Sequence, residues 1–70
     1  MATNISRTTI LRRQEVEKIT GMATSTLYLK IKNGHFPKPI KLGERSVGWL
    51  ENEIDEWINK RIEQRNREAI

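Results

Sequence analysis

Apolar residues recur along this chain in two rhythms, and each rhythm predicts an element. Val16 and Ile19 stand at i, i+3, the spacing that places two side chains on one helix face, and Gly21 follows where a glycine ends a helix. Leu27 and Ile31, at i, i+4, open a second helical seam that Asn33 and Gly34 close. Met22 lies in the break between the two. The hydroxyls of Thr24, Ser25 and Thr26 stand where they can accept from the free backbone N–H groups at the second helix's start. Residues 14–34 therefore predict two short helices joined by a Gly-containing turn. That pattern describes a helix-turn-helix, whose second helix is free to enter a DNA major groove, and equally an αα-hairpin in a small core.

The rhythm changes after Gly34. Pro37 and Pro39 each fix their own φ and push the preceding residue toward extended geometry, so no helix continues through them. Ile40-Lys41-Leu42 and Val47-Gly48-Trp49 then alternate with period two on either side of Gly43-Glu44-Arg45-Ser46, which predicts a hairpin with a short turn. Alternation is expected to turn Ile40, Leu42, Val47 and Trp49 inward while Lys38, Lys41 and Arg45 carry cations outward. From Leu50 the helical period returns: Leu50, Ile54, Trp57, Ile58 and Ile62 form one amphipathic seam. Acids cluster near the start of that helix and bases near its end, the order that complements a helix dipole. Trp57 is expected to be a core aromatic, costing ~3–5 kcal/mol on truncation.

The fold class expected from these elements is mostly α with a small β-hairpin, a winged helix-turn-helix of three helices plus a two-stranded wing. Residues 1–9, polar and without periodicity, are expected to form a flexible arm that brings Arg7 near phosphate. Residues 10–63 form the domain, with Ile10 and Leu11 as its extended lead-in, and residues 64–70 a frayed tail. Seventy residues leave room for one economical core. With no cysteine there is neither a disulfide framework nor a Cys-based zinc site. The apolar runs are far too short to span a membrane and residues 1–9 lack the apolar segment of a secretory signal, so a cytoplasmic location is expected.

Charge sharpens the picture. Residues 1–50 hold nine Lys/Arg against three acids, and residues 51–70 hold four against six, so a positive field surrounds the helix pair and hairpin. This favours a polyanionic partner. On the second helix, advancing about 100° per residue places Thr24 and Tyr28 on the side of Leu27 and Ile31, the core side. Ser25, Thr26, Leu29 and Lys32 project the other way. There Leu29 can meet a thymine methyl while Ser25 and Lys32 offer hydrogen bonds, and Tyr28 can extend its hydroxyl to a phosphate. Arg12 and Arg13 are either phosphate contacts at the first helix's start or a solvated pair. The lone His35 has no second histidine or carboxylate cluster beside it, and no nucleophile with a plausible base occurs, so neither an enzyme nor a metal or cofactor site is expected.

Several of these motifs occur together in a familiar order: Glu15-Val16, Thr20-Gly21, the STLY of residues 25–28, the GHFPKPIKLG of residues 34–43 and the GWLENEIDEW of residues 48–57. Over residues 11–61 the chain resembles the AlpA family of small phage and prophage regulators, within the larger set of excisionase-like and MerR-like winged helix-turn-helix domains. The resemblance implies a DNA-binding regulator of element-encoded genes, with double-stranded DNA as partner. An architectural excisionase acting beside a recombinase, or with further copies on adjacent sites, is a related alternative. A protein-interaction adapter using residues 51–61 and Leu29 is another. The family usually has Ser where Ala23 stands and a basic residue where Thr24 and often Leu29 stand. Thr24 is therefore expected to take over the cap, and Lys30 and Lys32 to compensate for the missing cations.

Overall fold

A computed structural model describes residues 9–68. Its order is β1 (Ile10–Leu11), α1 (Arg13–Thr20), α2 (Thr24–Lys32), β2 (Ile40–Lys41), β3 (Val47–Leu50) and α3 (Glu51–Glu68). The protein is mostly helical, with α1 and α2 in a helix-turn-helix arrangement beside a small antiparallel sheet. The arm expected over residues 1–9, with Arg7, falls outside the described residues except for Thr9.

Both short helices end through glycine. Gly21 takes φ 75° and returns its N–H to the Glu17 carbonyl at 2.7 Å, closing α1. Gly34, at φ 78°, donates to the Ile31 carbonyl, and His35 donates to that of Lys30, the paired bonds of a Schellman ending. At the other end of α1, the Glu15 carboxylate accepts the Arg12 backbone N–H at 2.8 Å, satisfying a donor at the helix start.

The sheet corrects the two-stranded expectation. Its order is β1-β3-β2, with Leu11 opposite Trp49 and Ile40 opposite Gly48. Ile10 and Leu11 are thus a third strand, whose connection into α3 is secured by Glu51 N–H donating to the Thr9 carbonyl at 2.8 Å. The register also overturns the inward placement of Ile40 and Leu42. Residues directly opposite share a face, so Ile40 lies with Gly48, Leu42, Ile10 and Leu50, whereas Trp49 and Val47 lie on the other face with Leu11. Ile40 and Leu42 are exposed.

The inner face meets the helices. Leu11, Val16, Leu27, Phe36, Trp49 and Ile54 form the buried core, with Met22, Ile31, Val47, Trp57 and Ile58 packed around it. Trp49 is the largest side chain fully enclosed, and its indole N–H donates to the Pro37 carbonyl at 2.9 Å, so its one polar atom is satisfied. Leu27 is the fully enclosed residue of α2, with Ile31 packed beside it, and truncating Leu27 to alanine would cost ~2–5 kcal/mol. Ile19, expected beside Val16 in the core, is half exposed, because only Val16 of that pair points at β3. Residues 64–68, expected to fray, continue α3 as regular helix.

Candidate nucleic-acid interface

The helix that presents the candidate surface is oriented by its buried edge. Leu27 is fully enclosed, and Ile31 and Lys30 are partly so, which centres the inward face of α2 on these three. The opposite side carries Ser25, Leu29 and Lys32, all exposed, with Leu29 the most exposed of the large apolar residues at 57%. Thr26 and Tyr28 flank that stripe, one on each side. The inward face is rotated relative to the sequence expectation. Tyr28 is 40% exposed rather than core, and Lys30, on the other side of Leu27, is the partly buried one.

Thr24 departs further from expectation. The residue before α2 with extended backbone geometry is Ala23, which has no side chain to cap with, so the cap position stays unfilled. Thr24 is already the first helical residue. Its hydroxyl donates to Glu17 Oε2 at 2.6 Å and accepts from Arg13 Nη1 at 3.0 Å, while Arg13 pairs with the same carboxylate oxygen at 2.9 Å. A three-membered polar latch thereby fastens the start of α2 to the outer side of α1. The Thr24 hydrogen bond and, after it, the Arg13 guanidinium hold the Glu17 carboxyl below its ordinary pKa. The pair Arg13–Glu17 is the only ion pair among the described residues.

The remaining cations sit on the hairpin and around it. Lys38, Lys41 and Arg45 are exposed, and Arg45 occupies the turn that Leu42 N–H closes by donating to the Ser46 carbonyl at 2.7 Å. Arg12 is not a loose surface arginine: its Nε donates to the Val47 carbonyl at 3.2 Å, tying the side chain to the first residue of β3. Sequence reasoning treated Arg12, Arg13 and Arg45 separately, but the fold gathers them with Gln14 and Val47 around one open concavity. Gln14 was not singled out. Its only signal was its position directly after the arginine pair. His35 is used through its backbone, accepting the Trp57 indole N–H at 2.7 Å. Among the described residues no group of three His, Asp or Glu is placed to hold a metal ion, and no helix is long and apolar enough to cross a membrane.

The family model described as "Prophage CP4-57 regulatory protein (AlpA)" matches residues 9–62, from the lead-in of β1 to the exposed half of α3. The "DNA-binding transcriptional activator AlpA" of Escherichia coli strain K12 is 47% identical over 64 residues, covering 83% of this chain and 91% of that protein. "Uncharacterized protein ORF88" of enterobacteria phage P4 is 38% identical over 64 residues, covering 91% of this chain and 73% of the relative.

Proposed function

The chain belongs to the AlpA family of prophage regulatory proteins, and we propose that it regulates transcription by binding double-stranded DNA. In this reading α2 is the recognition helix in the major groove, and the β2–β3 hairpin is a wing whose turn meets the adjacent groove or phosphates. The observation that carries it is the exposed stripe of Ser25, Leu29 and Lys32, opposite a fully enclosed Leu27. An apolar side chain between a hydroxyl and an ammonium suits a base-pair edge that offers a thymine methyl between acceptors. Thr26 and Tyr28 border the groove contact. Lys30, Lys38, Lys41 and Arg45 supply the salt-dependent affinity that any phosphate-contacting surface requires. The genes controlled belong in this proposal to an integrated element, as the family description implies.

No guanidinium projects from the exposed face of α2, so the bidentate arginine-to-guanine contact has no donor there. Specificity then rests on the Leu29 methyl contact, on Ser25 and Lys32, and on DNA shape at the wing. The direct test is fluorescence anisotropy with duplexes tiled across the DNA flanking the protein's own gene, repeated from low to physiological salt. One segment should bind well above the rest and keep that preference as salt rises. Absence of binding to any duplex at low salt would sink the reading and leave a protein-interaction module in its place.

A further inference from the structure

Two arginines far apart in sequence share one concavity, and the way each is held says what it is for. Arg12 lies between β1 and α1; Arg45 lies in the turn between β2 and β3. With Arg13, Gln14 and Val47 they line an open hollow of ≈ 400 Å³, ample for a phosphodiester group. No carboxylate lines it. Glu15 accepts the Arg12 backbone N–H and Glu17 serves Arg13 and Thr24, while Glu44, the chain neighbour of Arg45, neither lines the hollow nor pairs with that arginine. Arg13 is therefore neutralised by its neighbour, whereas neither Arg12 nor Arg45 forms an ion pair among the described residues.

Arg12 is also pre-set. Its Nε is spent on the Val47 carbonyl, which fixes the plane of the guanidinium and leaves both terminal nitrogens to donate. Mutual repulsion of two unpaired guanidinium groups in one hollow costs free energy unless an anion sits between them. A planar fork held at one nitrogen is the usual donor for a tetrahedral oxyanion.

We propose that Arg12 and Arg45 jointly bind a single backbone phosphate of the DNA, so that the start of α1 and the hairpin turn dock on the duplex as one unit. This rests on the DNA-binding reading above and deepens it. A shared phosphate has a signature that two separate contacts lack. Salt dependence counts the phosphates neutralised, not the arginines used, so losing both arginines should flatten the slope of log affinity against log salt by about 0.9. Two independent phosphates would flatten it by about 1.8.

The test combines Arg12→Ala, Arg45→Ala and the double variant with a duplex carrying one neutral methylphosphonate, moved phosphate by phosphate along both strands. For the parent protein, one position beside the hairpin should be sensitive. Arg12→Ala and Arg45→Ala should each blunt the response at that same position, and the double variant should abolish it. The Arg45 side chain makes no hydrogen bond among the described residues, so its variant reports even if Arg12→Ala proves poorly folded in a thermal melt. Blunting at two different phosphates, or a slope reduced by about 1.8 in the double variant, overturns the shared site. Inorganic phosphate at constant ionic strength should compete weakly with the duplex for the parent and not for the double variant; equal competition with both would overturn the shared site. A parent that binds no duplex at all would sink the functional reading itself, a distinct outcome.

Discussion

The indole N–H of Trp57 donates to the backbone carbonyl of His35 at 2.7 Å, across 22 positions of sequence. The same ring meets Phe36 edge-on with centroids 4.8 Å apart and carries the Arg61 guanidinium 5.7 Å from its centroid. Trp57 thus pins α3 to the loop that leaves α2, and it does so from the edge of the core. Trp49, by contrast, is fully enclosed.

The two tryptophans should therefore differ on truncation. Trp49→Ala is expected to cost ~3–5 kcal/mol, enough to unfold most of so small a domain. Trp57 is only partly buried, so Trp57→Ala should cost less, about 2–3 kcal/mol. Trp57→Phe keeps the ring contact and loses only the hydrogen bond, about 1 kcal/mol. Urea unfolding followed by circular dichroism measures all three; equal losses at positions 49 and 57 would contradict the burial difference.

Glu17 makes the latch between α1 and α2 sensitive to pH. Its pKa is lowered in the folded protein, first by the Thr24 hydroxyl and then by Arg13, so its contribution is present above the ordinary glutamate value of about 4.3. That contribution disappears as pH falls through the lowered value and the carboxylate takes up a proton. Thr24→Val should accordingly melt below the parent at pH 6, and the gap should close as pH falls below the ordinary glutamate value of about 4.3. Thr24→Ser, which keeps a hydroxyl, should behave like the parent. A gap that does not change with pH over the acid range would mean that Thr24 acts through its packing rather than through Glu17.

The helices were legible because their causes are local. Val16 with Gly21, and Leu27 with Gly34, carry both the face and the stop signal within a few residues. What sequence could not carry was parity. Both hairpin segments alternate correctly, yet which members face the core depends on whether Ile40 opposes Gly48 or a neighbour, and that is decided by the turn and by β1. A two-residue strand such as β1 has no period of its own. In the candidate site, the Ser25, Leu29, Lys32 stripe was readable from helix geometry alone. The role of Thr24 was not, since its partner Glu17 lies on another helix, and neither was the meeting of Arg12 with Arg45.

Gly48 tests the corrected register. It sits in the middle of β3 without a positive φ, so its value lies in space rather than in backbone freedom. A Cβ there would lie 2.5 Å from Ile10 Cγ2, 3.0 Å from Leu42 Cδ1 and 3.1 Å from the Leu11 carbonyl oxygen. Only the Leu42 methyl is a free end that can turn aside; the Ile10 methyl sits on a β-branched Cβ and moves only with χ1, and the carbonyl belongs to the ladder. Gly48→Ala should cost ~1–3 kcal/mol by overpacking, and Gly48→Val more. Amide exchange at Glu51, whose N–H is held by Thr9, should quicken as β1 loosens. An alanine variant as stable as the parent would place the outer face of the sheet elsewhere.

The exposed stripe on α2 yields the prediction closest to function. Among the described residues the side chains of Ser25 and Leu29 make no hydrogen bond and lie outside the core cluster, so neither Ser25→Ala nor Leu29→Ala should move the melting temperature by more than a degree or two. Surface substitutions away from any cap, core or network usually stay within about 0.5 kcal/mol. On DNA the same changes should be selective. If Leu29 covers a thymine methyl, alanine lowers affinity for the duplex with thymine at that step by ~1–3 kcal/mol and leaves affinity for a uracil-substituted duplex, which lacks the methyl, unchanged. Lys32→Ala differs in kind: a contact to phosphate lowers affinity for all sequences alike and reduces the salt slope by about 1, whereas a contact to a base edge leaves the slope nearly intact. Measuring each variant against a panel of single-base operator substitutions, at two salt concentrations, separates these outcomes. A loss from Leu29→Ala that is the same on thymine and uracil duplexes would reduce that leucine to a spacer between the cations, and the search for specificity would move to Ser25 and the hairpin.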